Sequence, residues 1–304
     1  MTRDDAERGS ARASGRTASR AVLCGLVALS ALSAGRARSE EAAATPAGAA
    51  TAAATEEEIG EEAPVLVAGR ACPNDMVEVD GTFCPFLEQR CVRWTGPKKR
   101  RCAEFAKSGP CQTASTRKRF CIDRYEYPNK FGATPVVMKT WYAAKATCEG
   151  LGKRLCTESE WTLACEGNER LPYPYGLVRD SEACNIDHEH IPVDEKALRN
   201  PNKRDAEVAR LWQGETSGAR EACVSPFGVR DMTGNVDEWV VRESGKPHHS
   251  ALKGGYWGFV RAMCRPVTQG HEETFYYYQV GFRCCSEVAG AASPTSTPPA
   301  QSKN

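Results

Sequence analysis

Two groups of residues have the types and spacing that chemistry needs. The first lies in Gly228-Val229-Arg230-Asp231-Met232-Thr233-Gly234-Asn235-Val236-Asp237-Glu238-Trp239, where Asp231 and Glu238 flank a Gly-Asn turn. Calcium takes about six to eight oxygens from carboxylates and carbonyls on a bent loop. This loop offers side-chain oxygen from Asp231 and Glu238 and backbone oxygen from Gly234 and Val236. Spacing alone fits a capped turn with two solvated acids equally well. The second group is cysteine, 15 in 304 residues. No paired CxxC and no histidine at finger spacing accompanies them, so disulfides are expected rather than zinc. His188-Glu189-His190 sets two imidazoles close together, but two ligands without a third do not make a site. His248, His249 and His271 have no GxSxG, P-loop or GxGxxG beside them and read as solvated loop residues.

Disulfides persist in an oxidising compartment, and the N-terminus reads as the signal that delivers the chain to one. Arg12, Arg16 and Arg20 lead into an apolar run over 21–34, long enough for a signal core and short for a membrane span. A signal peptide is expected over 1–39, with cleavage among the small residues 33–39. Bulky Leu23, and an apolar run that mostly follows Cys24, argue against a lipid on Cys24. Fourteen cysteines then remain. A flexible Ala- and Glu-rich linker over 40–64, a folded body over 65–288 and a disordered tail over 289–304 follow from composition. The expected location is periplasmic or secreted, with no span once the signal is removed. Net charge is +1 with both signs interspersed, which excludes an electrostatic nucleic-acid binder. The one basic run, Lys98-Lys99-Arg100-Arg101, reads as a solvated loop.

Helices and strands must position these groups. Trp141–Glu149 reads as a helix capped by Thr140 and stopped by Gly150 and Gly152. Glu158–Glu166 reads as a second, with Thr157 and Glu160 forming a capping box. The apolar runs Met76–Val79, Val136–Met138 and Tyr276–Phe282 suggest short strands between long loops, which cysteines would staple.

In order along the chain, eight segments resemble the formylglycine-generating enzyme, or sulfatase-modifying factor, family. Asp75–Phe83 resembles its opening strand, and Phe120-Cys121-Ile122-Asp123-Arg124-Tyr125-Glu126 with Asn129 is similar to "FYIDKYEVTN". Pro135-Val136-Val137 leads into the first helix as the family segment before "SWEDA" does. Gly152–Trp161 resembles "GKRLPTEAEW", Tyr173–Gly176 "YPWG", and Gly228–Trp239 "GLYDMxGNVWEW". Lys253–Trp257 resembles "RGGSW", and Gly281–Cys284 "GFRC". A Cys- and Lys/Arg-rich insert over 84–119 departs from the pattern.

The resemblance implies an α+β, C-type-lectin-related fold, low in regular secondary structure and here rich in disulfides. It implies structural calcium at Asp231, Gly234, Val236 and Glu238, and a second calcium beginning at Asn185 and Ile186. It implies a Cys165–Cys284 bridge. The family's catalytic members oxidise a sulfatase cysteine in a CxPxR-type segment with two copper(I)-binding cysteines. Those positions fall here on Trp257 and Ala262, and residues 256–260 form a shorter loop than theirs. Cys264, two residues past the second position, reads as a disulfide partner, for instance of Cys285. Two readings therefore stay open. One is a non-catalytic binding or accessory module for a protein or small extracellular ligand, with Phe259, Phe275, Tyr276, Tyr277 and Tyr278 around a recognition face over 256–277. The other is an oxidase with a rearranged thiol and copper site using Cys264.

Overall fold

The computed structural model describes residues 71–95 and 101–289. The expected signal, the linker, all of the tail but Ala289, and Lys98, Lys99 and Arg100 lie outside the described residues. Among the described residues no helix is long and apolar enough to cross a membrane.

Alternation builds the first sheet. In β1 (Met76–Phe83), Val77 and Val79 face the core while Glu78 and Thr82 are exposed. It pairs antiparallel with β4 (Thr116–Asp123). On the outer face Arg119 reaches Glu78 at 2.6 Å and Arg117 reaches Asp80 at 2.8 Å, diagonal pairs across the ladder. β10 (Cys284–Ser286) and β5 (Arg154–Leu155) complete the order β1-β4-β10-β5. The insert between β1 and β4 is a hairpin of β2 (Cys91–Thr95) and β3 (Arg101–Phe105), tied by Cys91–Cys102 and Cys84–Cys111. Arg101 belongs to β3 rather than to a solvated loop, and its guanidinium lies 4.6 Å over the Phe259 ring. The second sheet has the order β8-β7-β6-β9, from Val267–Thr268, Ser250–Lys253, Asp237–Val241 and Val280–Phe282. Only β6 and β9 run parallel.

Both expected helices form. α1 (Trp141–Gly150) starts at Thr140, whose hydroxyl accepts from Ala143 N, and buries Trp141, Ala144 and Cys148. α2 (Glu158–Glu166) has both halves of the Thr157–Glu160 capping box. Val136–Met138 is not a strand: Val136 N bonds Tyr127 O, Met138 N bonds Tyr277 O, and Met138 has a positive φ. Of Tyr276–Phe282 only Val280–Phe282 joins a sheet. Two helices come where loops were expected, α3 (Glu195–Arg199) and α4 (Arg204–Leu211). Their stretch has too few apolar residues to show a period, and only Leu198 and Leu211 are buried apolar residues there, against Trp257 and Tyr278.

All fourteen described cysteines are bridged. The expected Cys165–Cys284 bridge is replaced: Cys165 pairs with Cys264 and Cys284 with Cys148. Cys285 pairs with Cys156, not with Cys264. Neighbours in a strand face opposite sides. Cys284 of β10 thus points into the core under α1, and Cys285 into the core that holds Cys156, Cys165 and Cys264.

Candidate functional site

The Gly-Asn turn brings carboxylates together deep inside the body. Asp231, Gly234 and Asn235 all have positive φ. A Cβ on Gly234 would stand 2.2 Å from Asn185 O, so only glycine lets the turn dock on Asn185 and Ile186. Asn235 locks the turn: its N–H donates to Asn185 O, its Oδ1 accepts from Asn185 Nδ2 and Glu215 N, and its Nδ2 donates to Glu126 Oε2. Glu126, Asp231 and Glu238 are all buried here, with Arg283 as the counter-charge. Arg283 forks both oxygens of Glu238 at 2.6 and 2.7 Å, and Trp161 Nε1 donates to the same carboxylate at 2.7 Å. Burial, then the charges of Asp231 and Glu238, hold Glu126 well above the usual carboxylate range. Burial pushes Asp231 up to about 6. Burial opposes Arg283's charge, yet Glu238, Glu126 and Asp231 raise its pKa.

Glu126, Asp231 and Glu238 gather around one guanidinium, and a divalent cation would draw the raised carboxyls into their ionised form. Asn185 Oδ1, at the second expected site, is buried without a hydrogen-bond partner, which also suits an oxygen-seeking ion. Among the described residues, however, no three His, Cys, Asp or Glu side chains converge as a preformed metal cluster. Among the described residues no cluster of three ligating side chains forms around His188 and His190.

The loop where the family's thiols would stand has no thiol to offer. Trp257 and Ala262 are both fully buried, Trp257 against Trp212 and Tyr278. Cys264 is closed in its bridge to Cys165. The loop is also drawn tight: Gly255, at positive φ, would place a Cβ 3.0 Å from Ala262 Cα. Copper(I) needs soft thiolates, and the side chains here do not fit it.

Beside this loop lies a cavity of about 350 Å³ between β6, β7 and the segment 254–280. Asp237 lines it with Gly255, Tyr256, Arg261, His271, Phe275 and Gln279 among others. Gly255 N donates to Asp237 Oδ1 at 2.9 Å. Desolvation pushes this carboxyl up to about 7, and Gly255 N–H holds it from going further. Gln279 Oε1 is buried and has no hydrogen-bond partner. His271 stacks on Phe275 at 3.8 Å. Of the aromatic residues expected on this face, Phe259 and Tyr276 are exposed, Tyr278 is core, and Phe275 and Tyr277 pack partly under the second sheet. Reading the sequence for chemistry missed Asp237, Gln279 and Glu126. The signal for Asp237 was present, since "GNVWEW" has a tryptophan at its position. His248 lies 3.9 Å from Glu273, whose other oxygen accepts from His249 N; the neighbouring hydroxyls of Ser250 and Thr274 donate to His271 O and Glu272 Oε1.

Comparison with known proteins places this geometry in context. Residues 40–288 match the family described as "Sulfatase-modifying factor enzyme 1-like domain". The chain is similar to "Inactive C-alpha-formylglycine-generating enzyme 2" of Bos taurus, 28% identical over 169 residues, 53% of this chain and 52% of that protein. It is 28% identical over 180 residues to "Formylglycine-generating enzyme" of Thermomonospora curvata, 53% of each. It is 31% identical over 178 residues to "Serine/threonine-protein kinase pkn1" of Chlamydia caviae, 51% of this chain but 24% of that one. The matches therefore span about half of the first two relatives and a quarter of the third. Among solved structures, PvdO from Pseudomonas aeruginosa covers 72% of this chain and 97% of its own, at 18% identity and a TM-score of 0.43. With a family match over most of its length, the chain belongs to the sulfatase-modifying factor family of α+β folds.

Proposed function

We propose that the protein is an exported, non-catalytic binding or accessory module of this family. The observation that supports the reading is at the loop where the resemblance puts the two thiols: Trp257 and Ala262 are buried there, and Cys264 is held in a disulfide. The relative named inactive is compatible with it. Seven disulfides suit an extracytoplasmic location, periplasmic or secreted. The cavity beside Asp237 would take the ligand, whether a small molecule or a group presented by a protein.

Calcium belongs to the same reading as a structural ion. Asp231 and Glu238 with the carbonyls of Gly234 and Val236 would hold it, Glu238 sharing its lone pairs with Arg283. A divalent charge would offset the excess of buried carboxylate. Asn185 and Ile186 would contribute to a second ion through the unpartnered Oδ1.

Alkylation of the mature protein without reductant, followed by disulfide mapping, tests the central claim. No free thiol, and no turnover of a CxPxR-type peptide with copper supplied, is the expected result. Two free thiols including Cys264 that capture copper(I), with peptide oxidation, would overturn it in favour of the oxidase.

A further inference from the structure

The cavity beside β6 carries unmet polar groups of opposite kinds. Asp237 has one hydrogen bond to its carboxylate, from Gly255 N, and no ion pair among the described residues. A carboxylate accepts at about four lone-pair positions, so most of its capacity is unused. Gln279 stands in the same wall with its Oε1 buried and unpartnered. Arg261 lines the same cavity, is exposed, and makes no ion pair or hydrogen bond among the described residues. A carboxylate and a guanidinium thus face one space without pairing with each other. Tyr256 and the stacked His271–Phe275 pair line the same cavity with aromatic surface, which suits both apolar carbon and a cationic nitrogen.

We propose that this cavity binds a small amino-carboxylate zwitterion, an α-amino acid or close analogue, with its ammonium on Asp237 and its carboxylate on Arg261. The proposal rests on the binding-module reading and gives its ligand class. At about 350 Å³ the cavity lies at the small end of the usual range for ligand sites, roughly 300–1,000 Å³. A zwitterion satisfies both unpaired charges at once. An amine alone would leave Arg261 unanswered, and a simple acid would bring its charge against Asp237. Asp237 is the position where this chain departs from the tryptophan of its family's motif, so the site belongs to this chain.

The test is isothermal titration of the full mature chain, disulfides intact, with each of the twenty common L-amino acids. The best binder is then compared with its decarboxylated amine and its deaminated acid; for phenylalanine these are phenethylamine and 3-phenylpropionate. The expected result is saturable binding of at least one amino acid, with each analogue weaker by tenfold or more. Asp237→Asn should weaken the amino acid and the amine but leave the acid unchanged. Arg261→Ala, at an exposed position that should not disturb folding, should weaken the amino acid and the acid but leave the amine unchanged. No binding by any of the twenty, or equal binding of amino acid and deaminated acid, overturns the proposal. The two readings fail separately. Peptide turnover with amino-acid binding intact would overturn the non-catalytic reading alone, and absence of both turnover and amino-acid binding would overturn the ligand class alone.

Discussion

Arg283 and Glu238 form a fork in which neither side chain has appreciable exposure, 0% and 1%. Removing one partner of such a pair strands the other charge and costs about 3–5 kcal/mol, whereas replacing both can be near neutral. Arg283→Met should therefore lower the urea midpoint sharply, and Arg283→Met with Glu238→Gln should recover much of the loss. Equal losses in single and double variants would show that the pair is not what the arginine supports. Asp123 is a second buried acid, held by Lys153 at 2.8 Å and by Cys284 N at 2.9 Å. Burial outweighs Lys153 and raises it from 3.8 to about 6. A carboxyl raised on folding adds stability below its unfolded pKa, and loses it as pH rises through the folded value. The melting temperature should fall between about pH 4 and 6 for this reason, and that part of the slope should vanish in Asp123→Asn. A slope unchanged by the substitution would assign the effect to other groups.

Elements differ in how far they announced themselves. α2 was readable to the residue because its capping box uses local rules: Thr157 Oγ1 accepts from Glu160 N, and Glu160 reaches back to Thr157 N. Thr157→Ala should cost about 1 kcal/mol in chemical denaturation; no change would mean that tertiary packing alone holds the helix start. The Gly234 turn was also visible as a turn, but its reason is tertiary. Gly234→Ala should destabilise by more than about 1 kcal/mol, since it combines positive φ with a 2.2 Å clash on Asn185 O. α3 and α4 were invisible because two isolated leucines make no stripe. Val136–Met138 looked like a strand, yet its N–H groups bond separate loops and complete no ladder.

Across the whole molecule, calcium addition should raise the melting temperature and a chelator should lower it. A hundredfold excess over Kd is worth about 2.7 kcal/mol, and an unchanged transition in both conditions would remove calcium from the loop. Composition and motif order were enough to determine the family, the α+β class and the stapled framework, because these depend on residues near one another in the chain. That positions 257 and 262 carry tryptophan and alanine rather than cysteine is likewise plain in the sequence. Only the tertiary structure decided the partners of the cysteines, since Cys284 and Cys285 are adjacent yet face different cores. It also decided that Glu238 would meet Arg283 and that Asp237 N would bond Gln279 O at 2.9 Å in the wall of the cavity. Those encounters join β6 to segments more than forty residues away, and no local periodicity encodes a distance that only folding closes.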